Sequence, residues 1–598
     1  MIASLLATAT PHAAPATHAA ATHAAAASHA VSNSITVPSV RWLAILPPII
    51  LIGGAVVLLG LASLVSKPLR VRVSTIATVI ISGGALGVAL WQWSDVQEHG
   101  AHTYIKHAVV MDGFSVLVTM LVAIAMLLTA LVADGYLRRE GMHGAEFHVL
   151  ALLSASGAML MGMANDLIII FLGLEILSLA LYVLTAFNYK RAASGEAALK
   201  YLILGGFSSA IFVYGIALTY GATGSTNLTQ ISDYLSKNVV LTNGLLLAGL
   251  ALMLVGFSFK VAAVPFHMWT PDVYQGAPSP VTGFMAAVAK AGAFAALLRV
   301  LFSSFGVIET DWRPIIYGLA VLSLVLGAFV ALRQRDVKRM LAYSSINHAG
   351  FILLGVSAGT ARGVSSALYY LFAYMLMTIG SFAIVTVLGR EGDVDHDISR
   401  FRGLAGRQPV IALALAVLLL AQAGAPFTTG LWAKLQVVFA AVGAGEVPLA
   451  VIAMVTAAVA AYFYLRVAVL MYASGGLGEA EGGAGGSAQL GAEGGMAGGS
   501  TIVAGAEGSD TGGGLSWATP AAAASTVTTL NEQILLDAEV GPTADSAQDE
   551  QGGPEPVPVP ALAGLAIALC TGVTVLFGVW PQPLIDFANH ATLLFLPK

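Results

Sequence analysis

The stretch LVGFSFKVAAVPFHMWTPDVYQGAPSPVTGFMAAVAKAGAFAALLRV, residues 254–300, decides how the chain is read. It opens as an apolar helix and stops at Pro265. An irregular segment holding Pro271, Pro278 and Pro280 follows, and then a second apolar helix resumes. Pro265 has no N–H, so the carbonyl of Val261 loses its helical partner. Two lysines, Lys260 and Lys290, sit inside the apolar parts. A lysine at bilayer depth costs roughly 2.5–3.5 kcal/mol on insertion scales, so it faces a cavity or a partner and marks an ion path. Broken backbone is tolerated at that depth only where protein or a wet cavity satisfies it. A broken helix beside buried ionisable groups is how transporters build ion sites, and the remainder of the chain reads as scaffolding for one.

Composition agrees. Of 598 residues, 57% are hydrophobic and only 10% charged, and the mean hydropathy is +0.83. A soluble domain carries about 25% charged residues. The fold class is therefore an all-α polytopic membrane protein, with the lipid bilayer as its surroundings. A net charge of -5 over this length argues for no nucleic-acid partner. The single cysteine, Cys570, excludes a disulfide framework, an iron–sulfur cluster and a cysteine-based zinc site within the chain. Spacing supports no metal site, nucleotide loop or Ser–His–Asp set.

About fourteen apolar blocks have spanning length. They fall near 42–65, 72–92, 112–135, 146–163, 166–187, 198–221, 240–264, 280–302, 314–332, 339–358, 363–389, 409–443, 447–472 and 559–586. The block at 409–443 is too long for one straight crossing. It contains Gly424, Pro426 and Gly430, so it reads as a second broken helix. Lys67, Arg70 and Arg72 lie in the first connection, Arg138 and Arg139 in the third, Lys190 and Arg191 in the fifth. Arg333, Arg335, Lys338 and Arg339 fill the ninth, and Arg390, Arg400, Arg402 and Arg407 the eleventh. Even connections are poor in such residues, apart from Arg299 and Arg313 flanking the eighth. The positive-inside rule then places odd connections in the cytoplasm and both termini outside.

The two breaks are five helices apart, each with a lysine nearby: Lys260 by Pro265, Lys434 eight residues past Pro426. Corresponding broken helices point to a repeat of five, and an odd number per unit makes the two units inverted. The chain divides into a low-complexity His/Ala-rich tail (1–40), helices one to three (41–145), a first repeat (146–302) and a second (303–473). A Gly-, Ala- and acid-rich insertion (474–557) and a last helix (558–598) follow. The tail lacks a positive start and a compact apolar core, so no cleaved signal peptide is expected. His12, His18, His23 and His29 recur in it, a composition read as disordered rather than metal-binding. The insertion, including TTLNEQILL, cannot bury a core and is expected to be disordered on the cytoplasmic side.

Within the apolar blocks the ionisable residues stand out. Glu175 lies mid-block in NDLIIIFLGLEILSLALYVLTAF, too central to reach the surface. It is either half of a structural ion pair or a proton-loading carboxylate that tunes a lysine. Burial favours a neutral amine and a nearby carboxylate favours the ammonium, so a lysine whose partner moves can release a proton near neutral pH. Lys260, Lys290 and Lys434 share that logic, the alternative for each being a static charge satisfied by the carbonyls that a break sets free. His348, in LAYSSINHAGFILLGV, is either a hydrogen-bonded core histidine or a relay between the lysine sites. Lys200 starts its block, where relay and snorkelling along the stem are both open. His267 and Asp272 either line the cavity of the break or fix its backbone.

These residues are embedded in motifs that resemble a known family. VPFHMWTPDVYQGAPSPV (264–281) with the following AVAKAG, FLGLEILSLALYVL (171–184), LAYSSINHAGF (341–351) and GAPFTTGLWAKLQVV (424–438) resemble, in order, the antiporter-like subunit N family of proton-pumping NADH:quinone oxidoreductase, respiratory complex I. The likeness covers about 42–472 and the last helix. It implies fourteen helices in two inverted five-helix units and a midplane chain of ionisable residues. Glu175, Lys260 and Lys290 match its first-half carboxylate–lysine set, His348 its connecting histidine, and Lys434 its second-half lysine. It implies proton translocation driven by quinone reduction in partner subunits of the membrane and peripheral arms. Those partners would hold the NADH, FMN, iron–sulfur and quinone sites, with no cofactor in this chain, in a bacterial inner membrane. The N-terminal tail and the insertion depart from the pattern without interrupting a motif. Two other classes stay open: an Mrp-like cation/proton antiporter, against which PDVYQGAP counts, and a membrane subunit whose charges only hold helices together. A related complex using another electron donor, such as ferredoxin, is a further alternative.

Overall fold

The computed structural model describes residues 41–238, 244–394, 396–473, 557–591 and 593. The expected N-terminal tail and nearly all of the expected insertion, TTLNEQILL included, lie outside the described residues. In chain order the helices are α1 (Leu46–Leu64), α2 (Lys67–His99), α3 (Gly113–Arg139), α4 (Glu146–Met163), α5 (Leu167–Thr185) and α6 (Ala192–Thr223). A short amphipathic helix α7 (Leu228–Lys237) precedes α8 (Gly244–Val261), α9 (Trp269–Gly276) and α10 (Ser279–Ser303). Then come α11 (Glu309–Ala331), α12 (Val337–Ser357), α13 (Ala361–Leu388), α14 (Pro409–Ala423), α15 (Thr429–Gly443) and α16 (Val447–Tyr472). The last two are α17 (Ala561–Val579) and the short α18 (Gln582–His590). Among the described residues, thirteen helical stretches are long and apolar enough to cross a membrane. The shorter apolar α14 and α15 follow each other through Gly424 and Pro426, over the block expected to be the second broken helix.

Helix starts follow ordinary capping chemistry. Asp112 and Ser115 form a reciprocal capping box on α3, and Asp166, Asp336 and Thr360 accept from first-turn N–H groups of α5, α12 and α13. Burial sorts the spans by position. α10 lies wholly inside the protein, with α3, α12 and α13 nearly so. α1, α2, α6 and α17 are about one-third buried, and turn residues such as Val57, Ile80, Phe207 and Val579 outward. Apolar side chains facing out at this density suit hydrocarbon or another membrane subunit.

The connections gather at two ends. At one end, Arg139 donates to the carbonyls of Thr386 and Gly389, and Glu140 accepts from Gly392 N–H. There Asp393, fully buried, accepts from Ser279 N–H and Oγ, pairs with Lys338 at 3.3 Å and lies 3.8 Å from Arg191. This basic end joins the third, fifth, ninth and eleventh connections, as the charge pattern requires. At the other end Asn165 and Asn227 both donate to the carbonyl of His107. A small antiparallel hairpin there, β1 (His102–Tyr104) with β2 (Val109–Met111), is the one departure from an all-helical chain among the described residues. Arg299 and Asp112 form a fully buried bidentate pair near this end, at 3.0 and 2.9 Å.

The segment expected to be irregular after Pro265 is instead mostly helical. α9 spans it, and Pro271 falls in its first turn, where no N–H is needed. The real break is Ala262–Met268. Ala262 has a φ of +63° there, and Val264 N–H donates to Ser323 Oγ at 2.9 Å. Phe259 O accepts from Ala262 N–H at 3.1 Å and from Trp269 Nε1 at 2.9 Å. The second break repeats the device, with φ of +92° at Gly424 and +62° at Phe427.

Candidate functional site: a buried row of lysines, hydroxyls and a histidine

α8 ends at its break, and this places Lys260 in the last turn of the helix, facing α5 and α6. Its ammonium donates to Ser178 Oγ at 2.8 Å and Tyr201 OH at 3.1 Å. The Tyr201 and Tyr182 rings lie 5.2 and 5.9 Å away, a distance at which ring faces attract a cation. A cavity of about 10 Å³, room for one water, touches Lys260 between Ser178, Ser208 and Phe212.

Glu175 stands one turn before Ser178 on α5, half-buried, with Oε1 buried and no protein hydrogen-bond partner. The expected direct pairing of Glu175 with Lys260 is therefore not made. Ser178, on the same helix face, occupies the position next to the amine, and the carboxylate acts on it from one turn away.

A π-turn, Met285–Ala289, immediately precedes Lys290 in α10. Such turns recur at functional sites because they shift the register of the helix that follows. Lys290 donates to Ser345 O and Oγ, both at 2.6 Å. Tyr374 OH also donates to Ser345 Oγ, at 2.8 Å, and Tyr274 OH lies 3.4 Å from it. His348 is one turn along α12. Its Nδ1 meets Tyr370 OH at 2.7 Å and its Nε2 meets Tyr464 OH at 3.1 Å. At the second break Lys434 donates to Ala423 O at 2.8 Å, with the Phe351 ring 5.0 Å from its amine.

Lys260, Lys290, His348 and Lys434 are thus all buried in one row that runs from the first break to the second. Lys200 is not in it. It is half-exposed at the basic end, bound to Glu196 at 2.7 Å and Asp272 at 3.1 Å. Asp272 also takes Arg339 at 2.9 Å, so it clips α9 to α6 and α12 rather than lining the break. His267 is half-buried in the break, with Nδ1 unbonded to protein.

The row depends on side chains that the sequence marks unevenly. Ser178, three residues after Glu175, and Ser344 and Ser345, four and three before His348, share a helix face with a residue already singled out. Nothing in the local pattern points to Tyr201, Tyr370, Tyr374, Tyr464 or Gln422, which come from other helices. Among the described residues no group of three or more His, Cys, Asp and Glu could hold a metal ion.

Comparison with known proteins follows the same lines. The family model described as "NADH:quinone oxidoreductase/Mrp antiporter, TM" matches residues 164–460. The chain is 40% identical over 445 residues to NADH-quinone oxidoreductase subunit N of Chloroflexus aggregans, covering 74% of this chain and 90% of that one. It is 44% identical over 365 residues to the subunit of the same name from Trichlorobacter lovleyi, covering 61% and 75%. Among solved structures, a chain of respiratory complex I from Thermus thermophilus superposes with a TM-score of 0.67 at 29% identity, over 91% of this chain and 99% of that one. A chain of the Mrp complex from Dietzia superposes with a TM-score of 0.72 at 21% identity, over 92% and 96%, a likeness of fold alone.

Proposed function

This chain belongs to the subunit N family of NADH-quinone oxidoreductases, and from that premise we propose that its buried row carries protons across the membrane. It is an antiporter-like, multi-pass membrane subunit of that oxidoreductase. The observation that carries the proposal is the kind of partner each lysine has. Lys260, Lys290 and Lys434 are buried and held by hydroxyls and carbonyls, and none forms an ion pair among the described residues. Neutral partners can serve a lysine in either protonation state, which a proton-loading site needs.

In this reading Lys260 holds a proton, with Ser178 and Tyr201 as its ligands and Glu175 as a negative charge one turn off. A conformational or electrostatic signal from a neighbouring subunit weakens the hold of Glu175, and the proton moves through Lys290 and His348 to Lys434. It leaves at the face opposite the basic end. Moving one charge against 100 mV costs about 2.3 kcal/mol, the equivalent of a swing of roughly two pKa units. Lys200, exposed beside Asp272, belongs to the inlet side of the basic end rather than to the row. The basic end faces the cytoplasm of a bacterial cell and both termini face out. Quinone reduction, NADH oxidation, FMN and the iron–sulfur clusters belong to partner subunits of the membrane and peripheral arms. The five-helix units 146–302 and 303–473 each carry one broken helix and one half of the row.

The test is Lys260→Ala in the assembled complex in membrane vesicles, with NADH-driven quinone reduction, proton uptake and native-gel assembly measured together. Assembly with loss of both turnover and pumping is expected. An assembled complex that pumps at the normal ratio would make Lys260 structural and overturn the mechanism.

A further inference from the structure

One stretch of the row is hydrogen-bonded without a gap, and its hydrogens can be placed by elimination. Ser381 Oγ–H donates to Met377 O at 2.8 Å, so this hydroxyl accepts from its other partner, Gln422 Nε2, at 2.9 Å. That fixes the Gln422 carboxamide with Oε1 toward Ser344, whose hydroxyl donates to it at 3.2 Å. With its proton committed, Ser344 Oγ accepts from Tyr464 OH. The Tyr464 oxygen then accepts from His348 Nε2, 3.1 Å away. Every donor in this chain points away from His348, through Gln422 on the helix that ends at the second break, to Ser381 and the carbonyl of Met377. Neutral His348 is held as the Nε2–H tautomer, with Nδ1 accepting from Tyr370 OH at 2.7 Å. All of these side chains are buried and come from four helices, α12, α13, α14 and α16.

We propose that Tyr464 and Ser344 relay the proton from His348 to the second break, and that Gln422 is the positioning residue that sets the direction of the transfer. The proposal rests on the proton-carrying reading of the row. When His348 becomes an imidazolium, its Nε2–H bond breaks as an O–H bond forms on Tyr464. The original phenol proton passes to Ser344 Oγ. The last leg requires a bridging water, through which the Ser344 proton passes to the unprotonated amine of Lys434, which sits on the carbonyl of Ala423, the residue after Gln422. His348 is left neutral as the Nδ1–H tautomer and Lys434 becomes an ammonium, with no electron moved. Exchange of the His348 ring proton from Nδ1 back to Nε2, with rotation of Tyr464 OH onto Ser344 and of Ser344 OH onto Gln422, restores the starting polarity, and the fixed amide makes the forward orientation the resting one.

Tyr464→Phe removes one oxygen and keeps the ring, and Ser344→Ala removes the next hydroxyl. Each is to be measured in the assembled complex in vesicles, beside Lys434→Ala. The expected result is normal assembly, a tenfold or greater loss of NADH-driven quinone reduction and proton uptake, and a solvent deuterium isotope effect larger than that of the parent. Gln422→Leu should also raise the isotope effect, which a merely structural substitution would leave alone. If Tyr464→Phe does not assemble, Ser344→Ala carries the same test. Full coupled turnover with an unchanged isotope effect in Tyr464→Phe and Ser344→Ala, while Lys434→Ala loses turnover, overturns the relay and leaves the proton path standing. Full coupled turnover in Lys434→Ala as well overturns both.

Discussion

At the scale of single residues, buried charges in this protein fall into two kinds with opposite consequences. Arg299 and Asp112 pair bidentately at zero exposure, and Arg299 Nε donates to Gly162 O. Removing one partner strands the other in a low-dielectric interior, which costs about 3–5 kcal/mol. Arg299→Met should therefore lower the yield of assembled complex more than Arg299→Met combined with Asp112→Asn, measured on native gels. The lysines of the row behave differently, because their partners are neutral. Ser178→Ala leaves Lys260 with Tyr201 and should slow coupled turnover several-fold with assembly intact, read in the same vesicle assay. Asp393 sits outside the spans and gives a pH signature. Burial acts to raise its carboxyl, but Lys338, His396 and Ser279 outweigh burial and hold it well below the usual carboxylate range. A depressed carboxylate contributes stability above its unfolded value, near roughly pH 3.9, and loses it only as pH falls through the lower folded value. The difference in melting temperature between the parent and Asp393→Asn should be flat from pH 5 to 8 and shrink only in stronger acid. A difference that shrank on going from pH 8 to 5 would contradict this assignment.

At the scale of elements, the two breaks position the first and last lysines of the row. In α8 the helix stops one residue after Lys260, so that side chain reaches α5 and α6 instead of continuing the stripe of its own helix. In the second break Gly424 adopts φ +92°, and a Cβ there would come within 3.0 Å of Lys434 Cδ. A side chain at such a φ also costs roughly 1–2 kcal/mol per residue. Gly424→Ala should displace the Lys434 amine from Ala423 O and reduce proton uptake, whereas Gly443→Ala, in open space at the far end of α15, should not. Gly430 is tighter, since a Cβ there would meet Ala421 O at 1.7 Å. That contact explains why the second crossing needs glycine on the face that folds back on α14. α9 ties the breaks to the row. Trp269 stacks on Tyr201 at 4.6 Å, and Tyr274 reaches Ser345, so one short helix touches the partners of both Lys260 and Lys290.

At the scale of the whole molecule, α10 runs wholly inside a shell of less buried spans, which keeps the row away from lipid while leaving apolar faces outward. The single cysteine, Cys570, is buried. This makes the proposed topology directly testable with introduced thiols. In right-side-out vesicles a membrane-impermeant maleimide should label Ser236→Cys, in the last turn of α7, and should not label Ser399→Cys, between α13 and α14, until the membrane is opened. The reverse pattern would invert the orientation.

By itself the sequence determined the apolar spans, the two broken helices, the basic connections and which ionisable residues, Lys260, Lys290, His348 and Lys434, would be buried. Each of these is a local property: a length of apolar chain, a proline, or a charge where hydrocarbon forbids one. The departures have equally definite reasons. The segment after Pro265 reads as irregular because it is rich in proline, yet Pro271 falls in a first turn, where proline suits a helix, and α9 forms. Glu175 reads as half of an ion pair or as a carboxylate that tunes a lysine, and it is Ser178 on the same face that bonds the Lys260 amine. Tertiary structure alone decided which neutral side chains hold each lysine, that Lys200 stays at the surface, and that Tyr464, Ser344 and Gln422 connect His348 to the second break. Those contacts join residues up to 120 positions apart in the chain. They depend on which helices pack together and at what rotation, and an apolar span carries too little pattern to specify either.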